Sequence, residues 1–114
     1  MKRRILEIFH NKNRKAPFTE WLLALEKSSQ IRIRDRLTRL ELGNLGDYKS
    51  LGDGLFELRF HFGPGYRIYF GEVKQIIILL LAGGDKNSQE KDIKKAKEFW
   101  KEYWSVKDEK IQNI

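Results

Sequence analysis

The chain has 114 residues, of which 40% are hydrophobic and none is cysteine. This length is typical of one globular domain that buries about two thirds of its unfolded surface. The lack of cysteine excludes disulfides and thiolate metal sites. A net charge of +7, from 23 Lys and Arg against 16 Asp and Glu, favours a polyanionic partner, either nucleic acid or an acidic protein. The alternative is that the lysines only cover a solvated surface.

The beginning of the chain predicts a strand and then a helix. Residues 4–9, RILEIF, predict the first strand, and a polar, basic loop follows over residues 11–15. Pro17 suits the first turn of a helix. The apolar residues from there recur at the i, i+3, i+4, i+7 spacing of an amphipathic helix, and they are Phe18, Trp21, Leu22 and Leu25.

A second helix is predicted over residues 30–42. Ser28 and Ser29 are expected to break the first helix and to cap the second. Gly43 and Gly46 are expected to end it. Three arginines lie together on a face away from its apolar side, and they are Arg32, Arg36 and Arg39.

Strand signals dominate the region after residue 48. A candidate short strand at residues 49–51 leads to a Gly-Asp-Gly turn, and three further strands are predicted over residues 55–62, 66–72 and 75–82. The last run is continuous Ile and Leu, which predicts a strand covered on both faces at the centre of the sheet. It is too short to cross a membrane, which takes about 20 residues.

A final helix completes the predicted fold. Gly83 and Gly84 are expected to end the last strand, and Asn87 with Glu90 matches a capping box for the helix. The apolar stripe of this helix consists of Ile93, Ala96, Trp100 and Tyr103. The element order β-α-α-β-β-β-α predicts an α+β fold around one small sheet. Residues 1–104 form the single predicted domain, and residues 105–114 form a polar C-terminal tail that is expected to fray.

The hairpin ELRFHFGPGYRIYF, residues 57–70, carries the candidate site. Pairing Phe62 with Tyr66 would align the apolar residues of both strands. The opposite face then collects four polar side chains, and they are Arg59, His61, Arg67 and Tyr69. Two guanidinium groups held side by side favour an anion between them, and phosphate matches the arginine fork. The alternatives are an ordinary polar sheet face, or partial neutralisation by Glu57.

Several further residues complete the predicted chemistry. Lys86 follows the last strand and can overhang the same face, although it can equally be an ordinary loop lysine. His61 is the best candidate for a general acid or base, since histidine exchanges protons near neutral pH. His10 and His61 are isolated from any carboxylate cluster, so no metal cofactor is expected. No signal peptide is recognisable, and the expected location is the cytoplasm.

Several segments together resemble the RelE/HigB superfamily of bacterial toxins, in particular its phage-derived addiction module killer branch. These segments are KSLGDGLFELR (49–59), YRIYF (66–70), ILLLAGGDKNSQEKDIKKA (78–96) and EFWKEY (98–103). The resemblance extends from about Pro17 to Tyr103. It implies a RelE-like fold, with helices on one side of a small, mostly antiparallel sheet and a basic concave surface on the other.

The resemblance also implies an activity, partners and site residues. The activity is ribosome-dependent cleavage of mRNA, restrained by a cognate antitoxin, often of the helix-turn-helix type. Arg67 and Arg59 match the family's active-site arginines, and Lys86 stands where the family keeps a basic residue. Lys49 lies in the segment that contributes to RNA contact, and Gln89 is expected to contact RNA as well. Tyr69 is expected to stack on a base or to orient the 2′-hydroxyl. Gln89 stands near the position of the family's C-terminal catalytic tyrosine or histidine, so the acid–base assignment departs from the family pattern.

Other functions are compatible with the same residues. A module that binds RNA or an acidic antitoxin without cleavage would use the same basic face. A gyrase-poisoning toxin of the ParE type is a second alternative, because that class shares the resemblance, and an inactive remnant is a third. The arginines and the lysine favour RNA cleavage over gyrase poisoning, which does not require a phosphate-cleaving cluster.

Overall fold

The structure is a computed structural model that describes residues 3–112. Five strands, three α-helices and one short 3-10 helix make up its regular structure. The strands are β1 (Ile5–Ile8), β2 (Tyr48–Gly52), β3 (Leu55–Arg59), β4 (Arg67–Val73) and β5 (Ile77–Gly84). The helices are α1 (Pro17–Leu23), α2 (Lys27–Glu41) and α3 (Gln89–Gln112), and the 3-10 helix covers Lys86–Ser88.

The strands form one sheet in the order β1-β5-β4-β3-β2. Only the β1–β5 pair is parallel, and the other neighbours are antiparallel. The predicted α+β class with a small, mostly antiparallel sheet is therefore confirmed. The candidate short strand is present as β2, so four strands follow α2 rather than three. The Ile/Leu-rich β5 is an interior strand buried on both faces, as predicted, although β4 occupies the middle of the sheet.

Apolar side chains from both faces of the sheet build two separate cores. On the back face, the helices α1 and α2 pack against Leu58, Phe60, Ile68, Phe70 and Leu80. On the front face, α3 packs through Ala96 and Trp100 against Leu55, Tyr69, Val73, Leu79 and Leu81. The resemblance implied helices on one side only, and this expectation was wrong. The apolar stripe predicted for the last helix is what brings α3 onto the front face.

The central hairpin pairs two residues away from the predicted register. Arg59 lies opposite Arg67, and Leu58 lies opposite Ile68. The expected pairs of Phe62 with Tyr66 and of His61 with Arg67 were therefore wrong. The hairpin loop is longer than Gly-Pro-Gly because β3 ends at Arg59. The face assignments of the residues within β3 and β4 were right, since a shift of two residues preserves the alternation of side chains. His61 lies beyond the end of β3, so its predicted place on the same face is not confirmed.

Several boundaries also differ from the prediction. The second helix begins at Lys27, so Ser28 and Ser29 lie in its first turn instead of capping it. β5 ends at Gly84, two residues past the predicted end at residue 82. The turn into the last helix is capped by Asp85 and Ser88 through a capping box, which replaces the predicted pair of Asn87 and Glu90. Residues 105–112 are helical and continue α3, and residues 113–114 lie outside the described residues. The expected fraying of this tail stays a prediction.

Gly71 allows α3 to approach the sheet. A Cβ atom at this position would collide with the indole ring of Trp100. The same indole donates a 2.8 Å hydrogen bond from Nε1 to the carbonyl of Asp53, in the turn between β2 and β3. The ring is therefore fixed, and α3 lies close over the middle of β4. Among residues 3–112, no helix is both long and apolar enough to traverse a lipid bilayer.

Gly71→Ala is expected to lower the free energy of unfolding by about 1–3 kcal/mol, because the added methyl group overpacks the site under Trp100. Chemical denaturation measures this change. In a Trp100→Ala background the cost of Gly71→Ala should largely disappear, since the colliding ring is gone. Equal costs in both backgrounds would contradict this account of the α3 packing.

Candidate anion-binding site

Two rows of side chains cross the open end of the front face. Arg59 of β3 lies opposite Arg67 of β4, which in turn lies opposite Gly84 of β5. In the next row, Glu57 of β3 lies between its two ladder partners, Lys49 of β2 and Tyr69 of β4. Opposite residues in an antiparallel ladder share a face. The register thus gathers four of the predicted site residues, and they are Lys49, Arg59, Arg67 and Tyr69.

Arg67 has an unused hydrogen-bond donor. Its Nη1 donates 3.2 Å hydrogen bonds to the carbonyls of Gly65 and Tyr66 in the hairpin loop. Its Nε is buried and has no hydrogen-bond partner among the described residues. A buried donor without a partner is costly, and such groups are often found where a ligand binds.

Lys86 stands beside Arg67, on the other side of the hairpin loop. A Cβ atom placed on Gly65 would be 3.4 Å from the Cβ of Lys86 and 3.6 Å from Nη1 of Arg67. The hairpin loop therefore lies between these two side chains at close range. Gly65 has a φ of +78°, which favours glycine, and the lack of a side chain there lets the loop approach both cations. The backbone of Lys86 thus lies near Arg67, and its role in the site stays a prediction.

Glu57 is completely buried and lies at the centre of the site. Its carboxylate accepts hydrogen bonds from Arg59 Nε at 2.9 Å, from Gln89 Nε2 at 2.8 Å and from the Tyr69 hydroxyl at 3.1 Å. Burial by itself would raise the pKa of Glu57, but the hydrogen bonds from Arg59, Gln89 and Tyr69 outweigh it and lower the pKa. Glu57 is therefore an anion held inside a basic cluster.

Tyr69 is neutral and inaccessible. Its side chain has no solvent exposure, and burial together with the charge of Glu57 raises the pKa of its hydroxyl well above the usual value. The ring cannot stack on a nucleotide base from this position, so the stacking role predicted for Tyr69 does not fit the structure. A hydroxyl with a raised pKa also cannot act as a general base at neutral pH.

Gln89 and Lys49 border the site on opposite sides. Gln89 is the first residue of α3 and reaches Glu57 through its amide nitrogen, so the start of the helix is tied to β3. Lys49 is exposed on the edge strand β2. Of the three residues predicted to contact RNA, Lys49 and Gln89 lie at the margin of the arginine row, and Tyr69 is buried.

His61 lies apart from this row. It follows the end of β3, its side chain is 75% exposed, and its Nε2 is 2.5 Å from a carboxylate oxygen of Asp47. The predicted position opposite Arg67 is taken by Arg59 instead. His61 is thus near the site along the chain, two residues after Arg59, but it belongs to a separate pair at the edge of the hairpin.

One arginine that was not predicted to belong to the site supports it from behind. Arg36 of α2 donates hydrogen bonds to the backbone carbonyls of Arg59 and Asp47, the latter at 2.8 Å, and its guanidinium lies 4.7 Å from the ring centroid of Phe60. Desolvation lowers the pKa of Arg36. Its i, i+4, i+7 spacing with Arg32 and Arg39 suggested a surface stripe and could not show this contact, which depends on the path of residues 45–47.

The composition of the candidate site suits an anion. Arg59 and Arg67 face one another from β3 and β4, the Cβ of Lys86 lies near the hairpin loop, and the buried carboxylate of Glu57 offsets only part of the positive charge. Planar guanidinium groups match the oxygens of a phosphate. Within the part of the chain that the structure describes, no group of three or more His, Asp or Glu side chains is arranged to hold a metal ion.

Comparison with known proteins places the chain in a family. Residues 20–101 match the model of the phage-derived protein Gp49-like family, also designated DUF891. A relative in Haemophilus influenzae (strain ATCC 51907 / DSM 11121 / KW20 / Rd), described as an uncharacterized protein, is 47% identical over 81 residues, which are 70% of this chain and 82% of the relative. The chain therefore belongs to the Gp49-like family. This family points to the killer toxin of a toxin–antitoxin addiction module, which has a cognate antitoxin as its partner.

The lowered pKa of Glu57 predicts how stability changes with pH. Because the folded-state pKa lies below the unfolded value of about 4.3, the ionised carboxylate stabilises the fold above that pH. The contribution is lost as the pH falls through the folded-state pKa. The free energy of unfolding of the wild type should therefore fall more steeply below about pH 4.3 than that of Glu57→Gln. Denaturant titrations at several pH values measure both slopes, and parallel curves would contradict the assignment.

Proposed function

We propose that this protein is the toxin of a type II toxin–antitoxin module and that it cleaves mRNA on the ribosome, without a metal ion. The observation that carries the proposal is the direct pairing of Arg59 with Arg67 across the β3–β4 ladder, with Lys86 beside them. Membership of the Gp49-like family supports the toxin class. The resemblance of the hairpin and the α3 segment to the RelE/HigB superfamily supports the activity.

The arginines would stabilise the charge that develops on the phosphate. When the ribose 2′-oxygen attacks the adjacent phosphorus, its proton leaves, negative charge accumulates on the phosphoryl oxygens, and the 5′-oxygen leaves with a proton. The products are a 2′,3′-cyclic phosphate and a 5′-hydroxyl. Stabilisation of charge is often the largest contribution to such a reaction. Arg67 and Arg59 stand opposite one another across the ladder, so the phosphate would bind between their guanidinium groups.

Proton transfer would use Lys86 or His61. Lys86 is closer to Arg67 and would donate the proton to the 5′-oxygen or bind the phosphate. His61 is exposed at the end of β3 and would reach the RNA from the side of Asp47, where it would accept the proton of the 2′-hydroxyl. Lys49 and Gln89 would bind the RNA chain on either side of the arginine row. The ribosome would contribute the alignment of the 2′-oxygen with the phosphorus, which is worth many orders of magnitude in effective concentration.

The partners follow from this activity. The mRNA and the ribosome are the targets, and a cognate antitoxin, in this branch often a helix-turn-helix protein, would restrain the toxin. The net charge of +7 suits both an RNA target and an acidic protein segment. The cytoplasm is where translating ribosomes are found.

Two other activities would use the same site differently. A module that only binds RNA would show salt-sensitive affinity without cleavage products. A gyrase poison of the ParE type would induce DNA damage and leave mRNA intact. The pairing of Arg59 with Arg67 favours phosphate chemistry over the second alternative.

Arg67→Ala is expected to abolish cleavage and leave the fold intact, because the guanidinium lies at the open end of the front face. The protein is added to a translating extract, and primer extension maps the 5′ ends of the mRNA. Wild type should produce new ends at codons positioned by the ribosome, and Arg67→Ala should reduce them by about a hundredfold or more.

Arg34→Ala is the matched control, since Arg34 is an exposed arginine on α2 away from the front face. It should cleave as the wild type does. Cleavage by Arg67→Ala at the wild-type level would remove Arg67 from the site. Absence of cleavage by all three proteins would reject the nuclease proposal in favour of gyrase poisoning or binding alone.

His61→Gln tests the source of the transferred proton. If His61 exchanges a proton with the RNA, the variant should cleave about a hundredfold more slowly. Time courses of mRNA cleavage, followed by primer extension, measure this effect. An unchanged rate would assign the proton transfer to Lys86 or to the ribosome.

A further inference from the structure

We infer that Glu57 is a positioning residue that orients Arg59 and Gln89 toward the substrate of the front face. The inference rests on the proposed function. It concerns a residue that contributes no charge favourable to an RNA phosphate, and that the sequence suggested only as a partial neutraliser of the arginines.

The burial of Glu57 is the first observation. Its side chain has no solvent exposure, whereas the Arg59 side chain beside it is 31% exposed. A buried carboxylate is costly unless it is paired and hydrogen-bonded, and this one has three donors. Because an ionised carboxylate only accepts hydrogen bonds, every group that contacts it must present a donor. Glu57 therefore fixes the orientation of each neighbour.

The orientation of Arg59 depends on which of its nitrogen atoms donates to Glu57. Glu57 Oε1 accepts from Nε of Arg59, at the inner side of the guanidinium. The terminal Nη groups, which carry the remaining donors, lie beyond Nε on the side chain. Since Arg59 stands directly opposite Arg67, a guanidinium held at its Nε presents these Nη donors beside Arg67. The ion pair also raises the pKa of Arg59, so the guanidinium stays charged.

The orientation of Gln89 depends on the second carboxylate oxygen of Glu57. Glu57 Oε2 accepts from Nε2 of Gln89, so the amide must direct its nitrogen to the carboxylate and its carbonyl oxygen elsewhere. Gln89 begins α3, and the two residues are 32 positions apart in the chain. The carboxylate thus connects the helix to the arginine row and gives the site one neutral acceptor of defined orientation.

Tyr69 closes the arrangement from beneath. Its hydroxyl donates to the same Oε2 that accepts from Gln89, and its ring is fully buried in the front core. Glu57 is thereby held in place by a buried neighbour, and it in turn holds Arg59 and Gln89 at the border of the open face. This is the arrangement expected of a residue that acts through others.

The experiment compares Glu57→Gln with Glu72→Gln in the full chain. Glu72 is the matched control, because it lies on β4 and accepts from Nη1 of Arg4 at 2.6 Å, in an ion pair that involves none of the site residues. The first readout is the Arg59 Nε–Hε signal in a ¹H–¹⁵N correlation spectrum. Glu57→Gln should shift this signal and remove its protection from solvent exchange, and Glu72→Gln should leave it unchanged.

The second readout is cleavage in the translating extract, at saturating and at sub-saturating toxin. Glu57→Gln should reduce the saturated rate by about a hundredfold, the effect of misplacing catalytic groups, and should change the half-saturating concentration little. In an Arg59→Ala background the same substitution should cost much less, because one of its two targets is already absent. Glu57→Asp retains the charge with a shorter reach, and it should recover part of the rate.

The outcomes separate the two proposals. Cleavage by Glu57→Gln at the wild-type rate, or an equal cost with and without Arg59, would overturn the positioning role. If wild type does not cleave, the nuclease proposal fails, and the Arg59 signal alone decides whether Glu57 orients that side chain. If Glu57→Gln does not fold, Glu57→Asp takes its place in both readouts, and a wild-type rate with an unchanged Arg59 signal in that variant would overturn the inference.

Discussion

A buried carboxylate that accepts hydrogen bonds from three side chains organises the candidate site of this molecule. Glu57 lies inside a face that is otherwise basic, and it compensates part of the charge that Arg59 and Arg67 bring together. Without an internal anion, two guanidinium groups on adjacent strands would repel one another in the folded state. The carboxylate allows them to be held side by side while their outer donors stay available.

The two cores determine where this face remains open. Helices α1 and α2 cover the back of the sheet, and α3 crosses the front with Trp100 packed over Gly71. The helix covers the middle of β4 and leaves the Arg67 end of that strand accessible. The basic face is thus bounded by a helix on one side and by the hairpin loop on the other, and Gly65 brings that loop close to Lys86.

Much of this arrangement could be predicted from the amino-acid pattern. The alternation of apolar and polar residues in β3 and β4 assigned Arg59 and Arg67 to the face opposite the apolar side chains. This assignment does not depend on the register, because every second residue of a strand lies on the same face. The register could not be predicted, since shifts by two residues preserve every face and only the loop geometry distinguishes them. His61 was misplaced for this reason. The burial of Tyr69 was missed as well, because it depends on α3, which joins the sheet from a distant part of the chain.

The order of these elements along the chain also sets the order in which the site can assemble. β1 pairs with β5, so the first strand has no partner until residue 77 and beyond have been made. Arg59 and Arg67 are synthesised before Lys86 and Gln89, which come after the last strand, and α3 is the last of the described elements. A nascent chain therefore carries no complete site during most of its synthesis. A chain that is interrupted before α3 would therefore carry Arg59 and Arg67 but lack Gln89 and the helix that packs on the front face.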